Sequence, residues 1–140
     1  MAGSAQQAEA EATFDVLVVD DEEVVREGVR KILEARGLRV AAVPDARSAL
    51  AHPALHRCRV VVCDLILPDR PGTDLLRILK RLRPDLPVVM ITGYATSDHE
   101  EQARRAGATE FLTKPFEESE LLEVVRRVLS GRSTAERERQ

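Results

Sequence analysis

The chain has no tryptophan, one tyrosine and three phenylalanines, so aromatic residues make up only 3% of its 140 positions. A stacking platform for single-stranded nucleic acid needs more rings than that. Cysteine is equally scarce. Cys58 and Cys63 have neither metal-ligand nor CxxC spacing and read as free thiols of a reducing compartment. Positive charge is not in excess either: the formal net charge is -3, which excludes a basic protein that coats a phosphate backbone. No apolar run approaches the ~20 residues of a membrane span. The opening MAGSAQQAEAEAT lacks the cationic start and apolar centre of a signal peptide. The expectation is a cytoplasmic chain with no membrane partner and no direct nucleic-acid partner.

The residues that are present describe a globular domain. Hydrophobic residues are 44% and charged residues 32%, which suits one soluble unit with a sizeable core. Residues 1–13 are small and polar and read as a disordered N-terminal tail. Residues 131–140 read as a charged C-terminal tail, and the domain is expected over 14–130. Within it, FDVLVV (14–19), LRVAAV (38–43), RVVVCD (59–64), VVMIT (88–92) and TEFLT (109–113) are short apolar runs rich in β-branched residues. They predict strands, the first and third of them buried on both faces.

Helical spacing fills the intervals. Val25, Val29, Ile32 and Leu33 share a face within 22–36, and Gly37 closes that helix. Asp45 caps a short helix over 46–51, which Pro53 ends. Thr73 is expected to cap a helix over 74–83 with Leu75, Leu79 and Leu82 inward. Ser97 and Glu100 have capping-box spacing before a helix over 98–106, which Gly107 closes. The last helix, over 117–130, turns Leu121, Val124, Val125 and Val128 inward. Strand and helix alternate five times with short links. This predicts an α/β fold, (βα)5, with a doubly wound five-stranded parallel sheet in order 2-1-3-4-5.

In such a sheet, ligands sit beyond the carboxyl ends of the strands, where the strand order reverses. Asp20 and Asp21 follow strand one, Asp64 ends strand three, Thr92 ends strand four and Lys114 follows strand five. Strand two ends in Val43 and Pro44 and offers no chemistry. Strands one and three are neighbours in this order, so three carboxylates converge. They repel unless a cation neutralises them. Oxygen-only ligands that leave room for water suit Mg²⁺ better than Zn²⁺. Lys114 and Thr92 would then serve the oxygens of a phosphate. A carboxylate held there can act as nucleophile and give an aspartyl-phosphate. Taken singly, each residue has a plainer reading: the acids as helix caps or solvated turn residues, Lys114 as a surface lysine, Thr92 as a strand-end filler. Their joint placement favours a site.

The pieces VLVVDDEE (16–23), VVVCDLILPDRPG (60–72), VVMITGYA (88–95) and FLTKPF (111–116) together resemble the receiver domain of bacterial two-component response regulators, the chemotaxis regulators among them. The resemblance covers residues 14–130 and implies the flavodoxin-like receiver fold. It implies that Asp64 is the phosphoacceptor, charged by a sensor histidine kinase or phosphotransfer protein. It further implies Mg²⁺ as cofactor, bound directly by Asp21, through water by Asp20, and also by Asp64 and the backbone carbonyl of Ile66. Thr92 and Lys114 would bond the phosphoryl oxygens, and Phe111 would follow Thr92 inward as the aromatic switch residue. Gly72 would permit the turn after the acceptor loop, and the bond to Pro115 is expected to be cis. The surface made by the fourth helix, fifth strand and fifth helix would change shape for a downstream protein target, with room for a phosphorylation-dependent dimer.

In that family the residues two after the acceptor and two after the threonine, here Ile66 and Tyr94, influence how water reaches the acyl phosphate. Ile66 offers no polar group to orient it, which implies a comparatively long-lived phosphorylated state. The resemblance implies no enzyme acting on other molecules, only self-phosphorylation and slow autodephosphorylation.

Alternatives remain at this stage. A tail too short for a helix-turn-helix follows residue 130, and the reading leans to a stand-alone switch. A receiver piece of a larger regulator or hybrid kinase is the alternative. An aspartate-nucleophile phosphatase of the haloacid-dehalogenase type would want a second aspartate two positions after the nucleophile, where this chain has Ile66. A flavodoxin-like FMN domain would want a phosphate-cradling loop after strand one, where this chain has the acidic run Asp20 to Glu23. A receiver that folds but is never phosphorylated is the last alternative.

Overall fold

The computed structural model describes residues 13–93 and 96–131. Five parallel strands form one sheet in the order β2-β1-β3-β4-β5, as the alternation predicts. In chain order the elements are β1 (Val16–Val19), α1 (Glu23–Glu34), β2 (Val40–Val43), α2 (Ala46–Ala51), a 3-10 turn (Pro53–His56), β3 (Val60–Asp64), α3 (Gly72–Leu82), β4 (Val88–Thr92), α4 (Ser97–Arg105), β5 (Glu110–Thr113) and α5 (Glu118–Leu129). The tails assigned to 1–13 and 131–140 fall, apart from Thr13 and Gly131, outside the described residues, as does Tyr94. No helix among the described residues is long and apolar enough to cross a membrane.

β1, β3 and β4 are buried at every position, so neither face of the sheet shows alternation. Each face has its own core. Leu17, Val19, Val61, Cys63 and Met90 pack under α2, α3 and α4. Val16, Val18, Val60, Val62, Val89 and Ile91 pack under α1 and α5. Burial of each such side chain contributes about 1.5–3 kcal/mol. Cys58 and Cys63 are buried free thiols, as their spacing predicts. Cys63 lies on the face opposite Asp64, and burial there pushes its thiol far up.

Several helix ends differ from expectation by a residue or two. Asp45 does cap α2, accepting from the Ser48 amide at 2.7 Å. α4 is capped by Thr96, whose hydroxyl accepts from His99 N, rather than by Ser97. α3 starts at Gly72 behind Pro71, so Thr73 lies inside the helix and caps nothing. The Pro71 ring presets the entry angle that a capping side chain would otherwise set. Leu75 and Leu79 are buried, but Leu82, at the last residue of α3, is 55% exposed. Leu86 takes the core position at that end. Gly37 and Gly107 have positive φ after their helices, as expected.

Four of the five helices carry acids in the first turn and bases in the last: Glu23 and Lys31, Asp74 and Arg81, Asp98 and Arg105, Glu118 and Arg126. Each pattern complements its helix dipole.

Gly72 is required for space rather than for turn conformation. A Cβ there would overlap the Asp64 carbonyl oxygen and stand 2.8 Å from Leu65 Cα. All of these atoms are backbone and cannot swing aside. We expect Gly72→Ala to lower stability by at least about 3 kcal/mol in urea unfolding. A loss under 1 kcal/mol would refute the close approach.

Candidate functional site

The carboxyl ends of β1 and β3 lie side by side, Val19 pairing with Cys63. The next residues, Asp20 and Asp64, therefore emerge together, with Asp21 beside them. Carboxylate oxygens of Asp20, Asp21 and Asp64 all lie within 4.8 Å of one another. Asp20 is fully buried, Asp64 is 5% exposed, and Asp21 faces solvent.

Lys114 enters this cluster from the far side of the sheet. Its amide donates to the carbonyl of Thr92 at 2.7 Å, which ties the end of β5 to the end of β4. The following bond to Pro115 is cis. The Lys114 ammonium then lies 2.8 Å from Asp64 Oδ2, 3.0 Å from Asp20 Oδ2 and 2.9 Å from Glu22 Oε1.

Asp20 and Asp64 are also held by the backbone. Asp20 Oδ1 accepts from Glu22 N at 2.9 Å. Asp64 Oδ1 accepts from Ile66 N at 3.0 Å. Oδ2 of Asp20 is different: it is buried and has no aligned hydrogen bond, only the ammonium as an ion-pair neighbour. A buried carboxylate oxygen of this kind, in a cluster with two further carboxylates, is a place for a cation. The donor set is all oxygen and partly open to water, which suits a hard divalent ion.

Burial raises the Asp20 carboxyl, and the Asp64 charge adds to the rise; the Glu22 amide and Lys114 oppose both. For Lys114, burial alone would lower the ammonium. Its hydrogen bonds to Asp64 and Glu22 and its ion pair with Asp20 outweigh that and raise it, so it stays charged.

The other sequence-predicted residues are also placed. Thr92 is fully buried at the end of β4, one residue past Ile91, which pairs with Asp64. Ile66 lies two residues past the end of β3, 52% exposed, with its amide on Asp64. Phe111 pairs with Met90 on β4 and packs half-buried against the core under α4. A groove of about 570 Å³ between α1 and α5, lined by Leu33, Leu38 and Leu122 among others, contains none of these residues.

Two contributors escaped the sequence reading. Glu22 shares the Lys114 ammonium although its own side chain is 60% exposed. Arg26 donates to the Asp20 carbonyl at 2.9 Å and so anchors the acidic turn from α1. A base in the first turns of a helix, against the helix dipole, was the available signal for Arg26.

Removing Lys114 would leave buried acids uncompensated. We expect Lys114→Met to lose about 3 kcal/mol at pH 7 in metal-free buffer. A carboxyl whose folded pKa is raised stabilises the fold below its unfolded value and loses that contribution as pH rises through the folded value. The Asp20 shift lies upward from 3.8, so the deficit of the variant should shrink as pH falls toward 4. Urea unfolding at the two pH values checks this, and a deficit that grows on acidification would contradict it.

Comparison with known proteins agrees with this geometry. The sequence model described as the response regulator receiver domain matches residues 16–126. The C4-dicarboxylate transport transcriptional regulatory protein DctD of Pseudomonas aeruginosa is 40% identical over 122 residues, which is 87% of this chain and 26% of that protein. The transcriptional regulatory protein FixJ of Rhizobium meliloti is 37% identical over 114 residues, 81% of this chain and 56% of that protein. The chain thus spans about a quarter to just over half the length of these relatives. Among solved structures, the receiver domain of NtrX from Brucella abortus is 39% identical with a TM-score of 0.78, covering 83% of this chain and 98% of that one.

Proposed function

The chain belongs to the response regulator receiver domain family of two-component systems, and from that premise we propose that it is a switch operated by phosphorylation of Asp64. The observation that carries this is the meeting of Lys114 Nζ with Asp20 and Asp64, within 3.0 Å of both, in a cluster of three acids. The donor is a sensor histidine kinase or phosphotransfer protein. Asp20, Asp21, Asp64 and the carbonyl of Ile66 would hold Mg²⁺, which, when bound, neutralises the acids and the incoming phosphoryl oxygens.

In the transfer, an Asp64 carboxylate oxygen forms the O–P bond as the N–P bond of the donor's phosphohistidine breaks. The electron pair of that bond returns to the imidazole. Lys114 is already on Asp64 Oδ2 and follows the charge onto the phosphoryl oxygens. The product adds close to two negative charges and three acceptor oxygens at one point. Thr92 moves toward them, and Phe111 turns into the space behind it. The surface of α4, β5 and α5 changes shape, for a downstream protein or for a second copy of the chain. The named relatives are transcriptional regulators, which supports a target in transcription control reached through protein contact.

The chemistry is confined to the chain itself: self-phosphorylation and slow autodephosphorylation, in the cytoplasm. Ile66 at the position where a dehalogenase-type phosphatase needs an aspartate speaks against turnover of external phosphomonoesters.

Incubation with radiolabelled acetyl phosphate and Mg²⁺ should label the wild type with a hydroxylamine-labile bond. Asp64→Asn or chelation of the metal should abolish the label; label persisting in Asp64→Asn would overturn the assignment. The exposed, apolar Ile66 side chain beside the acceptor also predicts a long-lived acyl phosphate. Ile66→Asn should shorten its lifetime several-fold, measured as loss of label after the donor is removed. An unchanged lifetime would refute the role of Ile66.

A further inference from the structure

Asp69 lies in the loop between β3 and α3, five residues past Asp64, with its side chain at the surface. Its carboxylate does not face solvent idly. Oδ1 accepts from Ala46 N at 3.1 Å and Oδ2 from Arg47 N at 2.8 Å, across 23 and 22 residues of sequence. These are the first two amides of α2. Asp45 already serves the third, on Ser48. A six-residue helix has no need of a second acid for its own cap. The same β2–α2 junction reaches the other half of the cluster: Val43 O accepts from Asp20 N at 3.1 Å. Only Pro44 and Asp45 separate Val43 from Ala46.

We infer that Asp69 is a positioning residue, fastening the loop that carries Asp64 and Ile66 to the junction that holds Asp20, so that one short splint sets the spacing of the two halves of the cation site. The inference rests on the Mg²⁺ reading of that site. The loop has other ties. Leu65 N donates to Ile91 O of β4 at 2.8 Å, Gly72 N donates to Leu65 O at 2.7 Å, and Ile66 bridges to Pro71. These root and shape the loop, but among the described residues its hydrogen bonds to the β2–α2 junction are those of Asp69. Burial pushes the Asp69 carboxyl up, but the Arg47 and Ala46 amides, with the nearby charge of Arg70, together outweigh it and hold the carboxyl below its ordinary value, so it stays an acceptor. Partners of this kind, behind the ligands, commonly govern metal affinity by 10- to 100-fold, and an effect of roughly tenfold is expected here.

The test compares Asp69→Ala with Asp45→Ala, which removes a cap from the same helix but no bond to the loop. Amide hydrogen exchange at Ile66 and Leu67 is read in metal-free protein, and Mg²⁺ affinity is read by titration calorimetry. In Asp69→Ala we expect faster exchange in the loop and roughly tenfold weaker Mg²⁺ binding. Asp45→Ala should lower the unfolding midpoint yet keep wild-type exchange at Ile66 and wild-type affinity. Asp69→Asn, which keeps one acceptor oxygen, should fall between, and it replaces the alanine variant if that fails to fold. The inference is overturned if the two alanine variants change loop exchange alike, or if Asp69→Ala leaves it unchanged. Should the wild type bind no Mg²⁺, the reading of the cation site falls by itself. The exchange comparison then still decides for or against the splint.

Discussion

One ammonium group stands among three carboxylates, and the upper end of the molecule is arranged around it. Asp20 and Asp64 are buried and close enough to repel. At such short range and away from bulk water, like charges cost several kcal/mol unless balanced. Lys114 supplies the balance in the metal-free chain. Under the proposed function, its grip on Asp64 is the contact that an arriving phosphoryl group would have to share. The stability of the fold and the proposed transfer would then depend on the same side chain, so a change at Lys114 should be felt in both.

The parallel sheet makes this convergence a matter of topology rather than of long-range luck. β1, β3, β4 and β5 each stop at or just before a polar residue, Asp20, Asp64, Thr92 and Thr113, where the chain turns toward a helix. With β1 and β3 adjacent, the stops of two strands distant in sequence fall next to one another. Gly72 then lets α3 begin hard against the backbone of Asp64 and Leu65, so Asp64 is backed by a helix. Bulk on either side of that contact would move the carboxylate itself.

Much of this was legible in the sequence, for a physical reason: strands buried on both faces are written as apolar runs rich in β-branched residues, and their ends are marked by polar residues. The strand order, the five helices and the convergence of Asp20, Asp21, Asp64 and Lys114 all follow from that. What was not legible depends on contacts between segments far apart in the chain. Leu82 keeps the helical period of Leu75 and Leu79 yet is exposed, because periodicity does not say where the sheet beneath ends. Thr73 and Ser97 are good capping types, but Pro71 and Thr96 occupy the places where the chain enters. Asp69 reads as an ordinary loop acid until the amides of Ala46 and Arg47 are seen above it. Glu22 shows its hold on Lys114 only once residues 92 apart in sequence are side by side.

The charge pattern of the helices has a consequence for encounters in solution. Because every crossover runs the same way, the acid-bearing starts of α1, α3, α4 and α5 gather at the carboxyl end of the parallel sheet, and their basic finishes at the other. Among the described residues, the helix ends thus set opposite charges at the two ends of the sheet. A positively charged surface would be turned toward the first end before contact, and a negatively charged one toward the other. Orientation by this field weakens as salt is added. The pace of recognition is thereby tied to ionic strength even where the final contacts are apolar.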